Sequence, residues 1–173
     1  MNLPPLHLRI VNKDSTIFNI KYYDVDSFNS LDSTKVKQVY GVCFYNDKVI
    51  IVHNGKKSTW GLVGGSMEKG ETYEECLKRE VLEESNMIVK VAQPIGYQEV
   101  VMGDKTIYQL RYVCEVKSAG NFVSDPAGTI DEIAMIDPKD YKNYFDWGEI
   151  GERIIKRAEE IKVKIDAESN YTH

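Results

Sequence analysis

The chain has 173 residues, of which 42% are apolar and 28% charged, enough apolar side chain for one packed core and too much for a disordered or low-complexity tail. Its formal net charge of −5 has the wrong sign for holding a nucleic-acid backbone by bulk attraction, so no bulk nucleic-acid binding is expected and a phosphate ligand needs a local device. No uncharged stretch approaches the about 20 apolar residues of a membrane span, and the N-terminus has no basic head followed by an apolar block.

A cytoplasmic location is the expectation. Cys43, Cys76 and Cys114 are an odd set without close spacing, which suits reduced, buried thiols better than a disulfide framework or a zinc site. With no repeat and no linker, residues 1–173 read as a single domain, with residues 1–35 an N-terminal β extension.

In chain order, residues 6–11 and 16–23 have alternating, β-branched and aromatic character around a polar break, predicting two strands. These two strands either extend the sheet or mediate a homodimer. Residues 24–34 are polar and predict a loop. Residues 36–45 and 48–53 predict a hairpin turning at Asn46-Asp47. The stretch from Trp60 to Gly70 is glycine-rich. Thr72 followed by Glu75 forms a capping-box pattern that starts a helix over 73–85. Strands are predicted over 88–93, 95–102, 106–116 and 129–136, and Asp137-Pro138 suits the N-terminus of a short helix. Ile150, Ile154, Ala158, Ile161 and Ile165 recur at helical intervals, the apolar stripe of a terminal helix over 147–166. Strands outnumber separated helices, an α/β or α+β pattern.

Residues 65–87, GSMEKGETYEECLKREVLEESNM, hold seven acids against Lys69, Lys78 and Arg79. At about 100° per residue, Glu80, Glu83 and Glu84 fall on one arc of about 100°. Like charges at these spacings cost a helix about 0.2–0.5 kcal/mol per pair, and a divalent cation reverses the sign. An oxygen-only donor set selects a hard ion, Mg²⁺ or Mn²⁺, over zinc. Glu83-Glu84 alone is most simply a solvated helix face. The combination of Gly65, Glu71, Arg79, Glu80, Glu83 and Glu84 at fixed spacing would arise by chance about once in 10⁵ chains.

Gly65, five residues, Glu71, seven residues, Arg79-Glu80-Val81, one residue, Glu83-Glu84, one residue, Asn86-Met87 resembles the Nudix box, G-x5-E-x7-R-E-U-x-E-E-x-G-U. The match spans 65–87, with two departures. Asn86 stands where the family usually has glycine, and Val63 stands where proline most often precedes the glycine pair. Asparagine is the next-best residue for a left-handed helix end, so the loop–helix geometry is expected to persist.

The resemblance implies an α/β/α sandwich with a mixed sheet. It implies hydrolysis of a diphosphate linkage in a small nucleoside diphosphate joined to another group X, with Mg²⁺ as the expected cofactor and Mn²⁺ an alternative. By resemblance, Glu80, Glu83 and Glu84 supply metal oxygens together with the Gly65 carbonyl. Arg79 orients carboxylates or ties Glu71 to the helix, and Glu71 braces the loop rather than ligating. The general base is either Glu80 or an outside carboxylate, with Asp125 preferred over Glu99, Asp131 and Glu132. Tyr40, Phe44, Tyr45, Trp60, Tyr97 and Tyr108 receive no role, because aromatic residues on strands are ordinarily core. Lys56, Lys57 and Arg111 are phosphate-contacting candidates, although a solvated lysine pair is the simpler account of the first two. Residues 102–105 carry neither the proline nor the tyrosine that marks some subfamilies beyond the box. Two other readings stay open: a Nudix-fold module that senses a nucleotide without hydrolysing it, and isoprenoid diphosphate isomerisation, which lacks a supporting Cys/His pair near the box.

Overall fold

A computed structural model describes residues 3–171. Nine strands form a mixed sheet: β1 (Leu6–Val11), β2 (Ile17–Asp24), β3 (Val36–Tyr45), β4 (Lys48–Asn54), β5 (Thr59–Gly61), β6 (Val63–Ser66), β7 (Met87–Met102), β8 (Lys105–Ser118) and β9 (Ile130–Ile136). The helices are α1 (Tyr73–Ser85) and α2 (Gly148–Tyr171), with short 3₁₀ turns at Ser33–Lys35 and Pro138–Asn143. The main strand order is β1-β2-β7-β8-β3-β4-β5, with β6 on β3 and β9 on β4. Among the described residues, only the central β3–β8 pair is parallel. The N-terminal hairpin extends the sheet through β2 and β7.

Both faces of the sheet centre are covered, and the strands show it. Val42 and Phe44 of β3 and Val49 and Ile51 of β4 pack toward α2, against Ile150, Ile154, Ala158, Ile161 and Ile165. Their alternates Val39, Cys43, Ile50 and Val52 pack with Cys76, Leu77 and Val81 of α1. Two-sided burial explains why residues 49–52 read as an unbroken apolar run rather than an alternating one. The result is an α+β sandwich, as expected. Among the described residues, no helix is long and apolar enough to cross a membrane.

Three local differences have physical causes. The glycine-rich stretch contains β5 and β6, because two successive partners share one edge of β3: β6 pairs with residues 38–41 and β4 with 43–45. Glycine's low β propensity hid these strands. The break expected near residue 94 is an irregularity inside one long strand, β7, where the pairing with β8 shifts between Pro94 and Gly96. The loop at 24–34 carries Phe28, buried against Tyr112 and Tyr73, so that polar segment is anchored by one aromatic.

Candidate active site

The site begins at two glycines on β6. Gly64 has φ +147°, and a Cβ there would lie 2.2 Å from the Val39 carbonyl oxygen, so no other residue fits. A Cβ on Gly65 would lie 2.7 Å from Oε1 of Glu80. The absent side chains let two α1 carboxylates settle on the strand backbone: Glu80 packs against Gly65, and the Gly64 N–H donates to Oε2 of Glu84 at 2.9 Å.

The helix carrying them is fixed at both ends. The Thr72 hydroxyl accepts from the Glu75 N–H at 3.2 Å while the Glu75 carboxylate accepts from the Thr72 N–H at 2.8 Å, completing the capping box. Asn86 is left-handed (φ 53°, ψ 37°), its N–H donates to the Leu82 carbonyl, and its side-chain amide donates to the Asn121 carbonyl at 2.9 Å. Asparagine therefore fills the glycine position and adds a tie to the 118–129 loop. Val63, in the other departing position, is fully buried beneath α1.

Arg79 organises the acids. Its Nε and Nη2 donate to the two oxygens of Glu71 at 2.5 and 3.0 Å. Nη1 donates to Glu80 at 2.9 Å and to Glu83 at 3.4 Å, and Nη2 also reaches the Ser66 carbonyl at 3.0 Å. Glu71 in turn accepts from the Glu68 N–H at 2.8 Å, closing the loop before the helix. The paired guanidinium holds the Glu71 carboxyl at about 2.

The remaining carboxylates are pushed the other way. Burial raises Glu80, against the opposing pull of Arg79. Burial raises Glu84 to about 8, opposed by the Gly64 N–H and reinforced by Glu80, Asp125 and Glu83. Too little positive charge lies here to keep all of these carboxyl groups ionised. The donor set fits a hard divalent ion, since the neighbouring Cys76 thiol is pushed to about 12 by burial and nearby acids and offers no thiolate. Among the described residues, no three acid, imidazole or thiol groups already converge into a closed metal shell. Glu80 and Glu83 are turned toward Arg79, so converging on an ion requires rotation about their side-chain bonds.

Asp125 lies close enough to add to the negative field on Glu80 and Glu84. Its carboxylate is buried and accepts from the backbone N–H groups of Ala127, Thr129 and Ile130, each at 3.0 Å. Asp131 instead pairs with His53 at 2.6 Å on an exposed edge.

A cleft of 700 Å³ opens beside Glu84 and Gly64, with Tyr40, Trp60, Gln98 and Arg111 among its lining residues. That volume suits a nucleotide-sized ligand. Lys57 reaches this cleft, and Arg111 forms part of its floor, buried rather than solvated. The sequence carried a signal for this: a lone charge inside the run Leu110 to Cys114 on a central strand. A smaller 390 Å³ depression over Asp24, Arg153 and Arg157 is lined by four acids and three bases and by no residue of the 65–87 segment.

Together, the two-helix sandwich, the glycine strand and the acid-bearing helix define a Nudix-fold protein. The NUDIX domain family model matches residues 35–158, and the chain belongs to that family. Similar solved structures include the Bacillus subtilis pyrophosphohydrolase BsRppH, at 16% identity over 75% of this chain and 77% of that one, with a TM-score of 0.58. A NUDIX hydrolase from Nitrosomonas europaea is 19% identical over 71% and 86% of the two chains, with a TM-score of 0.56. A UDP-X diphosphatase is 16% identical over 79% and 67%, with a TM-score of 0.59.

Proposed function

We propose that this Nudix-type hydrolase cleaves the diphosphate linkage of a nucleoside diphosphate joined to a group X, releasing a nucleoside monophosphate and phosphorylated X. Mg²⁺ is the proposed cofactor, with Mn²⁺ able to replace it. The observation that carries the reading is the placing of Glu80 against Gly65 and of Glu84 on the Gly64 amide, with Arg79 bonded to Glu80 and Glu83 beside them on the same helix. The similar structures, a pyrophosphohydrolase and a UDP-X diphosphatase, support the same class.

Glu83, Glu84 and the Gly65 carbonyl would hold the ion. It would supply charge neutralisation for the diphosphate and Lewis-acid activation of the attacking water. Glu71 serves as the brace that aims Arg79, and Arg79 holds Glu80 and Glu83 within reach of the site. Glu80 is the proposed general base: one of its oxygens is held by Arg79, and desolvation raises its proton affinity. Asp125 is proposed to act through the loop it closes, because both of its oxygens already hold backbone N–H groups. Three free, buried cysteines suit a reducing compartment such as the cytoplasm.

The test is a panel of nucleoside diphosphate derivatives incubated with the protein and Mg²⁺. Wild type should release a nucleoside monophosphate, and Glu84→Gln should reduce the rate by at least 10²-fold. Equal behaviour of the two proteins across the panel would overturn the assignment.

A further inference from the structure

Arg111 is a buried cation without a counter-ion. It stands mid-strand on β8, only 5% exposed. Nη1 donates to the Leu110 carbonyl at 3.2 Å and Nη2 to Oε1 of Gln109 at 3.3 Å, while Nε is buried and unpartnered among the described residues. Of five donors only two are matched, both by long bonds. Arg79, Arg153 and Arg157 each have a carboxylate within 4.0 Å. Arg111 has none among the described residues and rests instead on the face of Tyr40, 4.8 Å from the ring centre.

A structural role explains this poorly. A charge taken out of water without a partner costs several kcal/mol, and an apolar side chain of the same size would avoid that cost. The surroundings hold the group in place: Gln98 donates to Gln109 at 3.1 Å and Gln109 to Gln38 at 2.5 Å, an amide chain that fixes the Gln109 oxygen on which Arg111 leans. Position gives the purpose. Arg111, Tyr40 and Gly64 are register neighbours on β8, β3 and β6, so Arg111 stands two strand spacings, about 10 Å, from the glycine amide that holds Glu84. Both ends of that span line the same cleft.

We propose that Arg111 is a specificity-determining residue whose guanidinium binds an anionic oxygen, of phosphate or carboxylate, on the part of the substrate beyond the diphosphate that is cleaved. The inference deepens the hydrolase reading and rests on it for the identity of the reacting diphosphate. A neutral nucleobase carbonyl could accept a hydrogen bond there but would leave the buried charge uncompensated, so the charge balance selects an anion.

The two tryptophans of the chain, Trp60 and Trp147, both line the cleft, so their fluorescence reports its occupancy. Wild-type protein stripped of divalent ions and exchanged into chelator-free buffer is titrated with inorganic tripolyphosphate, malonate and uridine. Tripolyphosphate or malonate should bind saturably, with affinity at least tenfold weaker in Arg111→Met and partly retained in Arg111→Lys. The ligand-free melting temperature of Arg111→Met should equal or exceed that of wild type, which a purely structural arginine would not allow. Unchanged anion affinity, a lowered melting temperature with unchanged affinity, or equal Arg111 dependence for uridine would each overturn the proposal. These titrations contain no divalent ion, so they succeed or fail separately from hydrolysis. With Mg²⁺, Arg111→Met should raise KM at least tenfold for substrates whose X carries a phosphate or a carboxylate and stay within threefold for a neutral sugar. The larger of the two effects identifies the anion, and equal KM changes for all three overturn the proposal.

Discussion

Glu71 accepts two hydrogen bonds from Arg79 through separate carboxylate oxygens, at 2.5 and 3.0 Å, eight residues away and across the junction between loop and helix. The pair converts a flexible turn into a fixed support for Glu80 and Glu83, which the same guanidinium touches.

Breaking this pair should cost more than a surface salt bridge. A double-mutant cycle of Glu71→Gln and Arg79→Lys should give a coupling energy of about 1.5–3 kcal/mol by urea unfolding, the range for hydrogen bonds to charged groups. Glu71 has its carboxyl held at about 2 in the folded chain, below the ordinary 4.5, so its contribution is present above about pH 4.5 and lost as pH falls toward 2. Wild type should therefore lose more stability than Glu71→Gln between pH 6 and pH 3. Parallel losses would show that the pair contributes little.

Glu84 gives the opposite sign. Its carboxyl stays protonated up to about 8 in the metal-free chain, so ion binding at neutral pH must displace that proton. Mg²⁺ affinity measured by calorimetry should rise with pH, by up to tenfold per unit, through the range below 8 and level off above it. Proton release should be visible as a dependence of the binding heat on buffer ionisation. Without metal, the raised proton affinity favours the folded state at low pH, and that stabilisation is lost as pH climbs through about 8. Affinity independent of pH would remove Glu84 from the ion's ligands.

Gly64→Ala should be among the most damaging single substitutions of the site. The new methyl would meet the Val39 carbonyl oxygen at 2.2 Å and the Tyr40 Cα at 2.6 Å, both backbone atoms, at a φ of +147°. Displacement of β6 from β3 should cost at least about 3 kcal/mol and remove the amide that holds Glu84. A melting temperature within a few degrees of wild type would contradict this.

Asp125 separates two roles by kinetics. If it closes the loop, Asp125→Asn keeps one acceptor oxygen, loses about 1–2 kcal/mol of stability and lowers kcat less than tenfold. A loss of 10²–10⁴ in kcat without loss of stability would make it the general base in place of Glu80.

Much of this site was legible in the sequence because its parts are local. The capping box, the acid spacing on α1 and the Asn86 helix end all lie within residues 65–87, where helical geometry alone relates one side chain to the next. The strands over 36–45 and 106–116 were visible for a similar reason, as apolar runs that a two-sided central sheet requires. β5 and β6 were not, because their glycines declare flexibility while the edge of β3 supplies the order.

The amino-acid order by itself thus determined the acid-bearing helix, its boundaries, the donor chemistry and the mixed α/β composition, all consequences of short-range periodicity and charge. Only the tertiary structure decided that Gly64 grips Glu84, that Asp125 closes a loop, and that Arg111 lies buried over Tyr40 at the floor of the cleft. The Gly64–Glu84 and Arg111–Tyr40 relationships join residues 20 and more than 70 positions apart, and whether a charge is solvated or stranded depends on which strands the fold places around it.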